Sequence, residues 1–146
     1  MTIADIESIK VLKARYFRLM DTKQWHEWGQ PFTVDCHVDT SEEMVRNGLD
    51  PALGIVDGRD ALVAHMHQWV DPARTVHHGH MPEIELVSAT EATGVWAMFD
   101  LVQIPGDQPI EFEGYGHYHE TYEKDADGRW RIARLRLTRL RVENRA

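Results

Sequence analysis

From Ile3 to Met20 the apolar residues Ile6, Ile9, Leu12, Tyr16, Leu19 and Met20 return every three or four positions. This is the period of an amphipathic helix, with Tyr16 on its inward stripe. Asp21-Thr22-Lys23-Gln24 follows, an acid with a glutamine three residues on, and predicts a cap for a second helix through Trp25 and Trp28 that stops near Pro31. A short strand is expected around Cys36 to Thr40. The polar segment from there to Asp57, with Gly48, Pro51 and Gly54, reads as a loop or lid. Asp57-Gly58-Arg59-Asp60 is expected to cap a third helix carrying Leu62, Val63, Met66 and Val70, ended by Asp71-Pro72.

Beyond Arg74 the period becomes two. Ile84 and Leu86 alternate with Glu83 and Glu85, and Val95, Ala97 and Phe99 alternate with Trp96, Met98 and Asp100, the pattern of strands with two unlike faces. Turn residues at Ser88–Glu91, Pro105–Pro109 and Asp125–Gly128 divide this half into an antiparallel meander of four long strands. Helices first and strands afterwards give an α+β fold. With 146 residues and no break in composition, residues 1–146 are expected to form one domain.

Charge narrows the function classes. A net charge of −8 repels phosphate backbones, so neither nucleic acid nor an anionic membrane is an expected partner. The arginines from Arg129 to Arg141 alternate with apolar residues, as on one wet or interfacial strand face, without the interleaved aromatics of a single-strand binder. No apolar run reaches the ~18–20 residues of a membrane span. The acidic start Ala4-Asp5-Ile6-Glu7 lacks the basic region of a secretory leader, so a cytoplasmic location is expected. Cys36, the only cysteine, reads as a packing residue.

Nine histidines are many for this length, and most are clustered. His78 with His80, and His117 with His119, lie two apart on strands, so each pair shares a face and offers two nitrogens to a metal. The stretch from Gly114 through His117, His119 and Glu123 is similar to the first metal motif of cupins, yet a cupin has no helical opening of this kind. Polar histidines on a wet sheet face are the simpler reading, and no metal is expected. His77 points away from His78, beside Gly79. With a turn at residues 88–91 it shares a face with Trp96, Met98 and Asp100, which puts a carboxyl among apolar groups or pairs it with an arginine such as Arg139. Asp21 reads equally as a helix cap or as an acid at the negative end of the first helix.

Taken together, Ile9 to Asp21, Val76-His77-His78-Gly79-His80-Met81-Pro82-Glu83-Ile84, Gly94 to Asp100 and Gly128-Arg129-Trp130 resemble the SnoaL-like branch of the NTF2-like superfamily over nearly the whole chain. The likeness is greatest to the group containing bile acid 7α-dehydratase and scytalone dehydratase, with hexachlorocyclohexane dehydrochlorinase further off. The resemblance implies a cone of N-terminal helices on a strongly curved, mostly antiparallel sheet around a deep apolar pocket. In the dehydratases a Tyr-x4-Asp pattern and the first histidine of His-x-Gly-His are catalytic, which here are Tyr16, Asp21 and His77. An acid at Asp100 is shared with the bile acid enzyme.

On that footing the expected activity is a dehydratase-type elimination or an isomerisation without metal or organic cofactor. His77 is the base, Asp21 its orienting carboxylate, Tyr16 the acid, and Asp100 shuttles a proton or positions the substrate. The expected substrate is a small hydrophobic hydroxy-carbonyl compound of steroid-like, aromatic or polyketide-like shape. Phe32, Trp96, Met98, Tyr118 and Leu137 are the expected lining, each with ordinary core packing as the other reading. A non-catalytic module binding a hydrophobic ligand or a partner is the alternative. Relatives associate through their open sheets, so a homo-oligomer is expected, a trimer ahead of a dimer.

Overall fold

A computed structural model describes residues 2–145. The chain opens with α1 (Ile3–Asp21), whose Asp5 carboxylate accepts from the Thr2 N–H at 3.2 Å and so stabilises the first turn. Its stripe Ile9, Leu12, Tyr16, Phe17, Leu19 and Met20 is buried as the periodicity requires. The helix ends in a Schellman motif: Gln24 N–H donates to the Leu19 carbonyl at 2.9 Å, and Lys23 N–H to the Met20 carbonyl at 3.0 Å, with Lys23 at φ +61°. The short α2 (Trp25–Trp28) follows, capped at Gln24 without a side-chain bond. Asp21 is therefore the last residue of α1 rather than the cap of α2, and its carboxylate is free to turn elsewhere.

After β1 (Phe32–Asp39) the segment expected to be a loop is structured. It forms α3 (Ser41–Arg46), a 3-10 turn (Pro51–Gly54) and β2 (Ile55–Asp57). Local polar groups nucleate these pieces: Asp39 accepts from the Ser41 N–H at 2.9 Å, and Asp50 from the Ala52 N–H at 2.9 Å. Helix α4 (Arg59–Val70) begins at Gly58, with no side-chain cap.

The remaining strands are β3 (Arg74–Gly79), β4 (Glu83–Leu86), β5 (Glu91–Ile104), β6 (Ile110–Lys124) and β7 (Trp130–Asn144). The sheet runs β2-β1-β7-β6-β5-β3, with β4 also paired to β5. The expected meander is present with three long strands, while the fourth is split into β3 and β4 along the same edge of β5. All these pairings are antiparallel except β1 with β7, which is parallel. The sheet curls without closing, and α1, α2 and α4 fill its concave side with a core containing Trp28, Phe32, Tyr122 and Ile132. No helix among the described residues is long and apolar enough to cross a membrane.

Two bulges in β7 change its phase. Thr121 faces Arg134 while Tyr122 faces Ile132, which leaves Ala133 extra; Tyr115 faces Arg141 while Gly116 faces Arg139, which leaves Leu140 extra. Between the bulges alternation is unbroken, and Arg139, three residues beyond Arg136, falls on the face opposite to Arg134 and Arg136, which corrects the expectation of a single arginine face. Arg134 and Arg136 are exposed, but Arg139 turns into the cone. A Cβ on Gly116 would collide with the Thr138 carbonyl oxygen beside the second bulge, and rigid backbone cannot yield there. Gly116→Ala is expected to cost about 1–3 kcal/mol, read as a lower urea midpoint at unchanged slope.

Candidate active site

Because α1 ends where it does, the Asp21 carboxylate reaches β3. Its Oδ1 lies 2.6 Å from His77 Nδ1 and accepts from the Thr75 hydroxyl at 2.9 Å, while Oδ2 accepts from the His77 backbone N–H at 2.8 Å. Burial pushes the Asp21 pKa up, but the hydrogen bonds and charge of His77, with the bond from Thr75, outweigh it and hold the carboxyl below its ordinary value. An ionised Asp21 requires the proton of a neutral His77 on Nδ1, which leaves the Nε2 lone pair available. Nε2 lies 3.9 Å from Asp100 Oδ2, beyond hydrogen-bond reach. The His77 ring stacks on Phe17 at 6.2 Å and its side chain is 8% exposed.

Alternation along β3 sends His77 inward and His78 outward, and the β3–β5 register sets His77 directly opposite Asp100. Gly79 completes the arrangement. A Cβ there would stand 2.6 Å from the Phe17 ring, so the glycine lets α1 approach the strand closely.

Asp100 pairs with Arg139 as well as sharing the face of His77. Two parallel bonds of 2.8 and 2.9 Å join carboxylate and guanidinium, and Arg139 Nε donates to Glu43 at 2.7 Å. The Arg139 backbone N–H donates to Glu42 at 3.1 Å. Burial works to lower the Arg139 pKa, but the bonds and charges of Asp100 and Glu43 raise it, so the group stays cationic. A Cβ on Gly114 would strike both members of the Asp100–Arg139 pair, and glycine there makes the room. The role of Glu43 escapes the sequence reading because a Glu-Glu pair in a polar segment signals solvent. The helical period of Ser41–Arg46 is too short to say otherwise.

Tyr16 is buried, its ring 5.9 Å from Phe32 and 5.8 Å from Tyr118. Burial, then the charges of Glu120, Asp100 and Asp21, push its pKa up, which keeps it a protonated hydrogen-bond donor. Phe32, Trp96, Met98, Tyr118 and Leu137 are all buried in the same core. Met98 Sδ lies 3.4 Å from Arg139 Nη1, and Trp96 donates its indole N–H to the Tyr122 hydroxyl at 2.8 Å. Two open grooves, of about 300 and 640 Å³, lie elsewhere, on the outer sheet face around His119 and Arg136 and between α1 and the β6–β7 turn. Neither contains Asp21 or His77.

Sequence reasoning also misses Lys13. It is fully buried with Glu120, to which it is bonded, and its ammonium sits 3.7 Å from the centre of the Tyr16 ring and 3.8 Å from that of Tyr118. Burial pushes its pKa down to about 8 against the attraction of Glu120. The other Glu120 oxygen accepts from the Tyr122 hydroxyl. No spacing rule pairs residues 107 apart, so a lysine on an apolar stripe is the one available signal. The histidine clusters stay outside: His78, His80 and His119 are exposed, and among the described residues no group of three or more His, Cys, Asp or Glu is arranged to hold a metal.

Breaking the Lys13–Glu120 pair strands a charge in the core. Lys13→Met is expected to cost about 3–5 kcal/mol in urea unfolding, and Lys13→Met/Glu120→Gln to recover most of that loss.

Solved structures share this architecture. A protein from Novosphingobium aromaticivorans, provisionally assigned as a scytalone dehydratase, superposes with a TM-score of 0.82 at 21% identity, over 99% of this chain and 89% of its own. Hexachlorocyclohexane dehydrochlorinase LinA-type3 from Novosphingobium barchaimii gives 0.79 at 21% identity, over 99% and 92%. A function-unknown protein from Mycobacterium tuberculosis gives 0.74 at 26% identity, over 96% and 79%. The SnoaL-like domain family matches residues 1–136, and with the curled, unclosed sheet behind its N-terminal helices the chain belongs to that family, within the NTF2-like superfamily.

Proposed function

We propose that this protein is a cofactor-free lyase of the dehydratase type, with isomerisation as the other outcome of the same proton abstraction. The observation that carries the reading is the Asp21–His77 pair, buried among aromatic side chains with Nε2 turned toward the Asp100 side of the cone. A His37–Asp57 pair of the same 2.6 Å length lies on the surface, where water competes for both partners, so burial rather than distance sets the inner pair apart.

His77 Nε2 takes a proton from the carbon next to a carbonyl, and Asp21 stabilises the imidazolium that forms. Tyr16 donates a hydrogen bond to the carbonyl oxygen or to the departing hydroxyl; the proton taken by Nε2 then passes to that hydroxyl, which leaves as water as the C–O bond breaks, so that His77 returns to neutral and an alkene conjugated with the carbonyl remains. Asp100, locked to Arg139, adds negative charge on the Nε2 side of the ring. The interior cations Lys13 and Arg139 are each matched by carboxylates, so the site favours a neutral substrate over an acid. The dehydratase and dehydrochlorinase assignments of the structural neighbours support an elimination. A hydrophobic hydroxy-ketone, flat or polycyclic, fits an interior of Phe32, Trp96, Met98, Tyr118 and Leu137 once side chains part to admit it. The apolar and aromatic groups on the outer sheet face, Phe99 and Tyr115 among them, support self-association there as a trimer or dimer.

Two measurements test the reading. In deuterated water the protein is expected to exchange the protons next to the carbonyl of a polycyclic ketone and to eliminate water from its β-hydroxy derivative. Asp21→Asn and His77→Gln are each expected to lower the rate roughly 100- to 10,000-fold while circular dichroism stays unchanged. A His77→Gln protein with full activity would overturn the assignment.

A further inference from the structure

A carboxylate 2.6 Å from an imidazole poses a problem for a base. Asp21 stabilises the imidazolium, and a histidine protonated at rest accepts nothing. Something behind Asp21 has to offset its charge. The Thr75 hydroxyl donates its single proton to Asp21 Oδ1 at 2.9 Å, so toward Lys23 it can only accept, and Lys23 Nζ donates to it at 3.0 Å. The two bonds form a line from ammonium to hydroxyl to carboxylate to imidazole.

The backbone at Lys23 points the same way. Among the described residues it is the one non-glycine residue with positive φ, at the left-handed position of the Schellman motif where glycine is the usual occupant. Lysine here accepts backbone strain, and its side chain is what glycine would lack. Burial lowers the Lys23 pKa, opposed by the charges of Asp21 and Asp71. The groups that bear on His77 are Asp21 from α1 and Asp100 from β5 with Arg139 from β7, beside the uncharged ring of Phe17. Lys23, with Asp71 beyond it, stands behind Asp21.

We propose that Lys23 and Thr75 are positioning residues of the dyad: Lys23 polarises the Thr75 hydroxyl, which holds Asp21 from behind and keeps His77 neutral, with its proton on Nδ1 and its Nε2 lone pair presented to the substrate. The inference rests on the reading of His77 as the base.

The test is a titration of His77 by nitrogen-15 NMR on histidine-labelled protein, which needs no substrate. Thr75→Val keeps the shape and removes the hydroxyl; Lys23→Met removes the charge and keeps the length. Each is expected to raise the His77 imidazolium pKa by about half a unit or more, roughly a threefold change in proton affinity. Thr75→Ser is expected to restore the wild-type value. Lys23→Gly separates the role from fold stability, since relief of strain is expected to raise the melting temperature while the His77 pKa still rises. A His77 pKa unmoved, within about 0.2 units, in both Thr75→Val and Lys23→Met would overturn the proposal, as would failure of Thr75→Ser to restore it. If Thr75→Val does not fold, Lys23→Met on the outer side of the line decides alone. Asp21→Asn tests the underlying dyad separately: a lower His77 pKa supports it, and an unchanged one removes the dyad whatever the Thr75 and Lys23 variants do.

Discussion

The contact of Phe17 with Gly79 sets the distance between the first helix and the strand that carries the histidine, and the rest of the site depends on that distance. With α1 held this close, the last carboxylate of the helix reaches both the ring and the backbone N–H of His77. A bond to the backbone is less forgiving than one to a side chain, because the strand cannot swivel to follow. The carboxylate, the imidazole and the strand are thereby fixed as one unit, with the Phe17 ring stacked on the imidazole.

The cone is lined with carbon, yet it holds two cations and several carboxylates, so its stability depends on matching. Lys13 with Glu120, and Arg139 with Asp100 and Glu43, each satisfy their charges among protein atoms. Glycine makes space for one of these clusters, at Gly114, where any side chain would strike the ion pair. The α3 segment supplies Glu42 and Glu43, so a piece of chain that looks like a surface loop is tied to β7 by a hydrogen bond to the Arg139 backbone and an ion pair with its guanidinium.

Much of this was legible in the residues. Alternation is a rigid rule, so His77 opposite to His78, and Asp100 on the face of Trp96 and Met98, follow from strand geometry once the hairpin turn is recognised. Arg139 as the partner of Asp100 is one of two open readings, and its face follows from alternation with Leu135 and Leu137; the bulges at Ala133 and Leu140 are not legible, because nothing local announces an extra residue. Asp21 misleads because an acid followed three residues later by glutamine has the form of a cap, whereas the backbone closes the helix by itself through Lys23. The Lys13–Glu120 pair is invisible for a different reason. It joins the first helix to a strand near the other end of the chain, and short-range patterns carry no information at that range.

The parallel seam between β1 and β7 also bears on how the chain acquires its shape. The first helix, the first strand and Asp5 all find partners on β6 or β7: Lys13 on Glu120, Phe32 beside Ile132, and Asp5 on Lys124 and Trp130. During synthesis the early elements therefore leave the ribosome with their apolar faces and a buried-to-be ammonium unpartnered until the last hairpin emerges. The cone is a late-closing fold, one in which the nascent chain keeps its early apolar faces exposed to aggregation until β6 and β7 have been made.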